Sequence, residues 1–330
     1  MLFVGVYMKI EKIAVLGAGT MGSAIAEVMA FNGYNVILRD IEEKFIEKGM
    51  NNIKNALDSH VKFNYSVSIK EMDKLKKINV ELNETQKEAF NLGYRPAFTE
   101  HDRDIVLSRI KQTVDLNEIF DVDLVIEAIP EKIELKKEIF KSIDNIVKEE
   151  TIIASNTSSL SITELASTVS RPEKVILTHF FNPPYILPLV EVVPALQTSE
   201  ETEKTVYGFI SSLKNHRTSM VPVKIKEVPG FLVNRLLIPM INNAIYMLDE
   251  NVSGSKEIDT AMKTGAGMPM GPLELADMIG LDIVLDVMEI LYREYNNPMY
   301  GPAPLLKKMV RAGWLGRKTG RGFFAYNVKK

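Results

Sequence analysis

The chain has 330 residues, 46% hydrophobic and 25% charged, with a formal net charge of −3, an isoelectric point near 6.0 and no cysteine. That is the composition of an ordinary globular protein long enough for two domains with buried cores. It offers no positive field for nucleic acid or anionic membranes and no apolar run of the roughly 20 residues that span a bilayer. The missing cysteines remove disulfides, thiolate chemistry, zinc ribbons and iron–sulfur clusters, and fit a reducing cytoplasm.

The opening MLFVGVYM is short and lacks a basic lead, so it is not read as a signal peptide, and Met8 is a candidate start. Ile13–Leu16 reads as a strand, Gly17-x-Gly19-x-x-Gly22 follows at once, and Ser23–Phe31 has helical composition up to Asn32-Gly33. A second strand, Val36–Leu38, ends at Asp40. A glycine triplet between strand and helix, with an acid about twenty residues on, is the setting that gives the motif meaning. Gly17 permits the tight turn, Gly19 lets the backbone approach a pyrophosphate, and Gly22 allows close helix–strand packing. The helix N-terminus then offers N–H groups to the phosphates. Asp40 is expected to bind ribose hydroxyls and favour NAD over NADP, with Arg39 beside it as a counter-signal.

From Glu42 to about Arg109 the chain is polar and Lys-rich, and Phe45, Ile46, Met50, Ile53, Leu57 and Val61 give Glu43–Lys62 helical spacing. Two readings stay open: an arm that meets a phosphorylated ligand, or a solvated charged hairpin. His60 and His101 receive no role. Strand and helix then alternate: Asp123–Ile129, Glu131–Val147, Thr151–Asn156, Ser161–Val169, Lys174–Phe180. Such alternation implies a parallel sheet with ligands at the strand C-terminal ends. Glu131, Asn156-Thr157-Ser158 and His179 lie just past such ends; Ser159 and Ser161 are read as helix caps.

The stretch Ile176–Glu191 carries the chemistry. His179 ends one extended run, Asn182-Pro183-Pro184 turns, and a second run carries Glu191. Desolvation alone strips a proton from a buried imidazole. A carboxylate at about 4 Å offsets that by roughly 4 kcal/mol at an effective dielectric near 20. The two together make an acid/base pair.

A helix over Ser199–Leu213 and a strand over Val221–Ile225 close the first domain, and Val228-Pro229-Gly230 marks the boundary. This gives a dinucleotide-binding domain over 8–226, with an arm about 42–110, and a helical domain over 227–330. Helices are expected at Phe231–Leu248 with a kink at Pro239, Glu257–Thr264, Leu273–Met278, Asp282–Tyr292 and Pro304–Ala312. Met268, Met270, Met278 and Met288 are read as core filler. The basic, glycine-rich Gly316–Phe324 is a candidate to return to an anionic cofactor. The four histidines lack metal-ligand spacing.

GAGTMGSAIA, SNTSSL, HFFNP, LVEVV, PGFLVNRLL, EIDTAM, GAGMPMGPLEL and GRKTGRGFF occur in that order. On these motifs the chain resembles the L-3-hydroxyacyl-CoA dehydrogenases of fatty-acid β-oxidation, including 3-hydroxybutyryl-CoA dehydrogenases, over roughly residues 10 to 326. The resemblance implies a Rossmann-type doubly wound α/β domain with an inserted helical hairpin, followed by an all-helical domain that forms a homodimer. It implies NAD as cofactor and an acyl-CoA substrate. His179 becomes the catalytic base, with Glu191 as its partner. Ser158 and Asn234 bind the reacting oxygen, and Asn182 lines the nicotinamide and substrate pocket. Gly17, Gly19, Thr20, Met21, Gly22, Asp40, Glu131, Lys136, Ser158 and Lys318 fall on cofactor contacts. Where the family carries a serine and a lysine for coenzyme A on the arm, this chain has Ala56 and Lys62 or Phe63, and residues 78–104 look enlarged. NPPYILPLVE also resembles relatives that oxidise L-gulonate or carnitine, so a small non-CoA hydroxy acid is the alternative substrate. A non-catalytic NAD binder is the rival from another class, but it has no need for the four catalytic residues together.

Overall fold

A computed structural model of the chain describes residues 9–78, 83, 85–86 and 98–326. The opening segment with Met1 and Met8, and most of the enlargement expected over 78–104, lie outside them. The chain divides into two compact units. One comprises the residues up to Thr157 with Ile162–Ile225, the other Ser158–Ser161 with the residues from Lys226 on.

The first unit runs β1 (Lys12–Leu16), α1 (Thr20–Phe31), β2 (Asn35–Arg39), α2 (Glu43–Lys77), α3 (Glu100–Ser108), β3 (Ile110–Thr113), β4 (Leu124–Glu127) and α4 (Ile133–Ile146). It continues with β5 (Ile152–Ser155), α5 (Ile162–Ala166), β6 (Val175–Phe180), β7 (Leu189–Pro194), α6 (Glu200–Ser212) and β8 (Val221–Lys224). The eight strands form one sheet in the order β3-β2-β1-β4-β5-β6-β7-β8. All neighbours are parallel except β6 and β7. This is the expected Rossmann-type doubly wound sheet. Every residue of β4, β5 and β6 is buried, because helices cover both faces and an unbroken apolar run is then stable. Strand order reverses between β1 and β4, which is where a doubly wound sheet opens a crevice at its strand ends.

Two features differ from the sequence reading. β3 is an extra edge strand whose residues, Ile-Lys-Gln-Thr, bury only Ile110, so no apolar run announces it. The arm helix α2 extends fifteen residues past Lys62. Ile46, Ile53, Leu57 and Val61 make its buried stripe, while Phe45 stays 37% exposed. α3 opens on a capping box in which the Thr99 side chain accepts from Asp102 N and Asp102 accepts from Thr99 N.

The second unit holds α7 (Val233–Asp249), α8 (Ser255–Gly265), α9 (Pro272–Ile279), α10 (Leu281–Tyr295) and α11 (Pro304–Arg311). Its core gathers Ile241, Ile245, Leu273, Ala276, Val284, Met288, Leu291 and Leu306. Of the four methionines expected inside, only Met288 is fully buried, and Met278 is 48% exposed. Two carboxylates organise its loops. Asp259 accepts from Leu273 N and Glu274 N, both at 2.9 Å, satisfying donors at the start of α9. Asp277 accepts from Phe323 N at 3.0 Å, Phe324 N at 2.9 Å and the Tyr326 hydroxyl at 3.0 Å, anchoring the tail. No helix among the described residues is long and apolar enough to cross a membrane.

Candidate active site

The turn after β1 has the shape a dinucleotide needs. Gly17 sits at φ +97°, where side chains are strained, and a Cβ there would come within 2.6 Å of the Ala128 carbonyl oxygen. A Cβ on Gly22 would lie 1.7 Å from Gly17 O, so α1 packs against its own turn only through glycine. Nothing lies within 4 Å of a Cβ on Gly19; its side faces open space. Gly17 and Gly19, with Thr20, Met21 and Asp40, line a cavity of about 660 Å³. Asp40 is held ready at its edge, Oδ2 accepting from Ala18 N and Oδ1 from Ile41 N, both at 2.7 Å. Arg39, which also lines the cavity, donates its Nε to the Val114 carbonyl at 3.2 Å. A glycine-walled cleft with an open N-terminus and an acid at its rim fits a dinucleotide without a 2′-phosphate.

Beside this cleft, at the ends of β4 and β5, lies a buried ionic network. Glu127 has no exposed surface; its Oε1 accepts from Lys136 Nζ at 2.5 Å and Ile129 N at 2.8 Å, and its Oε2 from Ser155 Oγ at 2.6 Å. Lys136 Nζ also donates to Ile129 O at 3.2 Å and lies 3.3 Å from Glu131 Oε2. Glu131 accepts from the Thr157 hydroxyl. Lys136 is only 1% exposed, so it holds Glu131 from beneath while Glu131 faces outward. Removing Glu127 would leave the buried Lys136 cation with Glu131 as its remaining counter-charge. Sequence reading singled out Glu131 and Lys136 but missed Glu127, whose only signal is an acid inside an apolar strand.

The structure brings His179 and Glu191 together. They face each other across the antiparallel β6–β7 register, so their side chains share one face of the sheet. His179 Nδ1 lies 2.7 Å from Glu191 Oε2, and Glu191 is fully buried. Nδ1 is therefore the protonated nitrogen that donates to the carboxylate, and Nε2 is the basic one. The parallel ladder between β5 and β6 stops at Ser155, and Asn156 Oδ1 takes over by accepting from Phe180 N at 2.9 Å. Asn156 thus holds the end of the histidine strand. Asn182, exposed at the turn, lines a second cavity of about 380 Å³ with Thr20, Asn52, Ala56 and Tyr185. Lys62 is exposed on α2.

Ser158, Asn234 and Lys318 belong to the second unit. Ser158 and Asn234 are half-buried there, and Ser161 Oγ donates to Glu227 Oε1 at 2.6 Å. Lys318 Nζ is paired with Asp282 at 2.6 Å, Arg317 with Glu274 at 2.9 Å, and Arg321 lies over the Trp314 ring. The basic tail expected to return to an anionic cofactor is thus engaged within its own unit. A Cβ on Gly322 would come 1.8 Å from Asp277 Oδ1, so that glycine makes room for a carboxylate. No group of three or more His, Cys, Asp or Glu residues placed to hold a metal ion occurs among the described residues.

Residues 12–86 and 61–228 match the family described as "3-hydroxyacyl-CoA dehydrogenase, NAD binding domain", and residues 230–326 its C-terminal domain. A 3-hydroxybutyryl-CoA dehydrogenase of Clostridioides difficile is 42% identical over 316 residues, covering 96% of this chain and 99% of the relative. A probable 3-hydroxybutyryl-CoA dehydrogenase of Bacillus subtilis is 40% identical, covering 98% and 99%. The crystal structure of (S)-3-hydroxybutyryl-CoA dehydrogenase from Ralstonia eutropha superposes with a TM-score of 0.80 at 41% identity, over 97% of this chain and 100% of that one. With both family domains matched in order on a Rossmann-type sheet whose cleft fits NAD, the chain belongs to the 3-hydroxyacyl-CoA dehydrogenases, a family of NAD-dependent oxidoreductases.

Proposed function

We propose that the protein catalyses the reversible oxidation of short-chain L-3-hydroxyacyl-CoA thioesters, 3-hydroxybutyryl-CoA among them, to the 3-ketoacyl-CoA. The single observation that carries this is the buried His179–Glu191 pair, joined across the β6–β7 register. His179 Nε2 takes the proton of the substrate's 3-hydroxyl as the C3–H bond gives up its hydride and the carbonyl forms. Glu191 fixes the imidazole tautomer and stabilises the cation that results. NAD, when bound, supplies the nicotinamide carbon that receives the hydride. Gly17, Gly19, Gly22, Thr20 and Met21 form the walls of its cleft, and Asp40 accepts from its ribose. Glu131, steadied by Lys136, is assigned to the same cofactor. Ser158 and Asn234 take the role the resemblance gives them, hydrogen bonds to the reacting oxygen, and Asn182 lines the pocket. Lys62 is assigned to coenzyme A and Lys318 to the cofactor.

Parallel assays with acetoacetyl-CoA and NADH, and with L-gulonate and NAD, test the reading. Turnover of the thioester and none of the sugar acid is expected; the reverse would move the substrate to the small hydroxy acids. We also assign a homodimer to the helical unit, where Leu232, Leu236, Met247, Ile283 and Tyr292 are 44% to 70% exposed. Sedimentation of the wild type as a monomer at micromolar concentration would remove it. A cytoplasmic location agrees with the cysteine-free chain.

A further inference from the structure

The buried titratable groups that the hydride chemistry does not use gather in one place. Glu27, on α1 two turns past the glycine turn, has no exposed surface. Its Oε1 lies 2.7 Å from His216 Nε2, off the line of a regular hydrogen bond, and its Oε2 has no hydrogen-bond partner. His216 sits in the connection between α6 and β8, which closes on a Lys214–Ser219 bridge. Its ring stacks on His60 of α2, with centroids 4.0 Å apart and planes at 18°, and lies 5.2 Å from Phe31 and 5.3 Å from Tyr185.

That connection also grips the turn after His179. His216 N donates to Tyr185 O at 3.1 Å, and Asn215 Nδ2 to Pro184 O at 3.3 Å. Asn182 and Tyr185 line the 380 Å³ cavity together with Thr20, Ser23 and Glu27, three residues on one face of α1. One helix therefore presents its first turn to the cofactor cleft and, two turns on, a carboxyl to the residue that holds the substrate turn.

We infer that Glu27 and His216 are positioning residues that fix the Asn182–Tyr185 turn against the cofactor helix, an inference resting on the assignment of Asn182 to the substrate pocket. Burial pushes the Glu27 carboxyl well above the usual range and drives His216 down to about 4, so both shifts favour the uncharged forms. A pair without net charge can stay dry in such a site. The groups facing it are His60 from α2, Tyr185 from the turn and Arg217 beside it in sequence. His60 is itself pushed down to about 4, chiefly by burial and then by His216. Loss of a proton from Glu27 would leave an anion beside a neutral imidazole and the Tyr185 hydroxyl, and the turn would loosen.

The test compares KM for acetoacetyl-CoA with the dissociation constant for NADH in the full-length protein. His216→Ala should raise KM by about fivefold, the worth of a modest contact, with NADH binding within about twofold of wild type. His216→Phe keeps the ring stack without the nitrogen and should show the same rise, which covers the case in which the alanine variant folds poorly. Glu27→Gln can still donate to Nε2 and never ionises, so it should keep the wild-type KM at neutral pH. Wild-type KM in His216→Phe, with only a lower Tm, overturns the positioning role. A wild-type protein that does not reduce acetoacetyl-CoA overturns the functional reading instead, and the two failures are distinct.

Discussion

Two fully buried carboxylates in the first unit each meet an imidazole at 2.7 Å, and the two pairs are put to opposite ends. Glu191 reaches His179 through Nδ1, across strands whose register presents both side chains on one face. Glu27 reaches His216 through Nε2, inside a box of Phe31, His60 and Tyr185. The first pair lies near the C-terminal end of β6, where a parallel sheet places its ligands. The second pair is sealed against other rings. Residue types and separation are the same in both. Which ring nitrogen is engaged, and what surrounds the ring, separates an acid/base pair from a clamp.

Substitution should pull the two pairs apart, beginning with the largest effect. His179→Gln is expected to lower kcat by about 10² to 10⁴ with NADH binding retained, the usual range for losing a general base. Turnover within a few-fold of wild type would discard His179. Glu191→Gln should cost less, about tenfold to a hundredfold in kcat, because the histidine remains but its tautomer and cation lose their support. An unchanged kcat would reduce Glu191 to a structural acid. The double variant Glu27→Leu, His216→Phe, which replaces a buried polar pair by apolar groups, should leave stability unchanged or raise it by about 1–4 kcal/mol. It should also raise KM, and a large loss of Tm would mean the pair is needed for folding itself.

Acid sharpens the contrast further. His60 and His216 are held near 4 in the folded chain, against 6.5 when free. Below about 6.5 the unfolded chain binds protons that the native state refuses, so stability is intact above that value and falls as pH drops toward 4. Two cations stacked 4.0 Å apart would add repulsion at the end of that range. Thermal unfolding of His60→Phe between pH 7.5 and 4.5 should show a shallower decline than wild type. Parallel curves would mean that other groups set the acid limb.

What the sequence made legible was local. The glycine turn could be read because its constraint is local; a Cβ on Gly22 collides with Gly17, five residues earlier. His179 and Glu191 could be read because a single hairpin joins them. The edge strand β3 escaped because only Ile110 of its four residues is buried. Glu27, His60 and His216 escaped for a different reason: they come from α1, the arm and the α6–β8 connection, and no periodicity links such distant segments. The tail's partners were not legible either, because lysine and arginine beside glycine suit a phosphate and a neighbouring carboxylate equally well; Asp282, Glu274 and Asp277 are the carboxylates it meets. Lys136 carries a cue to its cofactor site, but its burial under Glu131 depends on the third dimension.

Asp277 has a consequence for how the helical unit comes into being. Its carboxyl is half-buried and pushed upward by burial, and the partners that relieve it are Phe323, Phe324 and Tyr326, nearly fifty residues later. Until those residues have left the ribosome, α9 carries an acid without its latch. The helical unit should therefore lock only once Tyr326 is in place, and trimming the chain back to Gly320 should leave a protein easily cut by protease in α9.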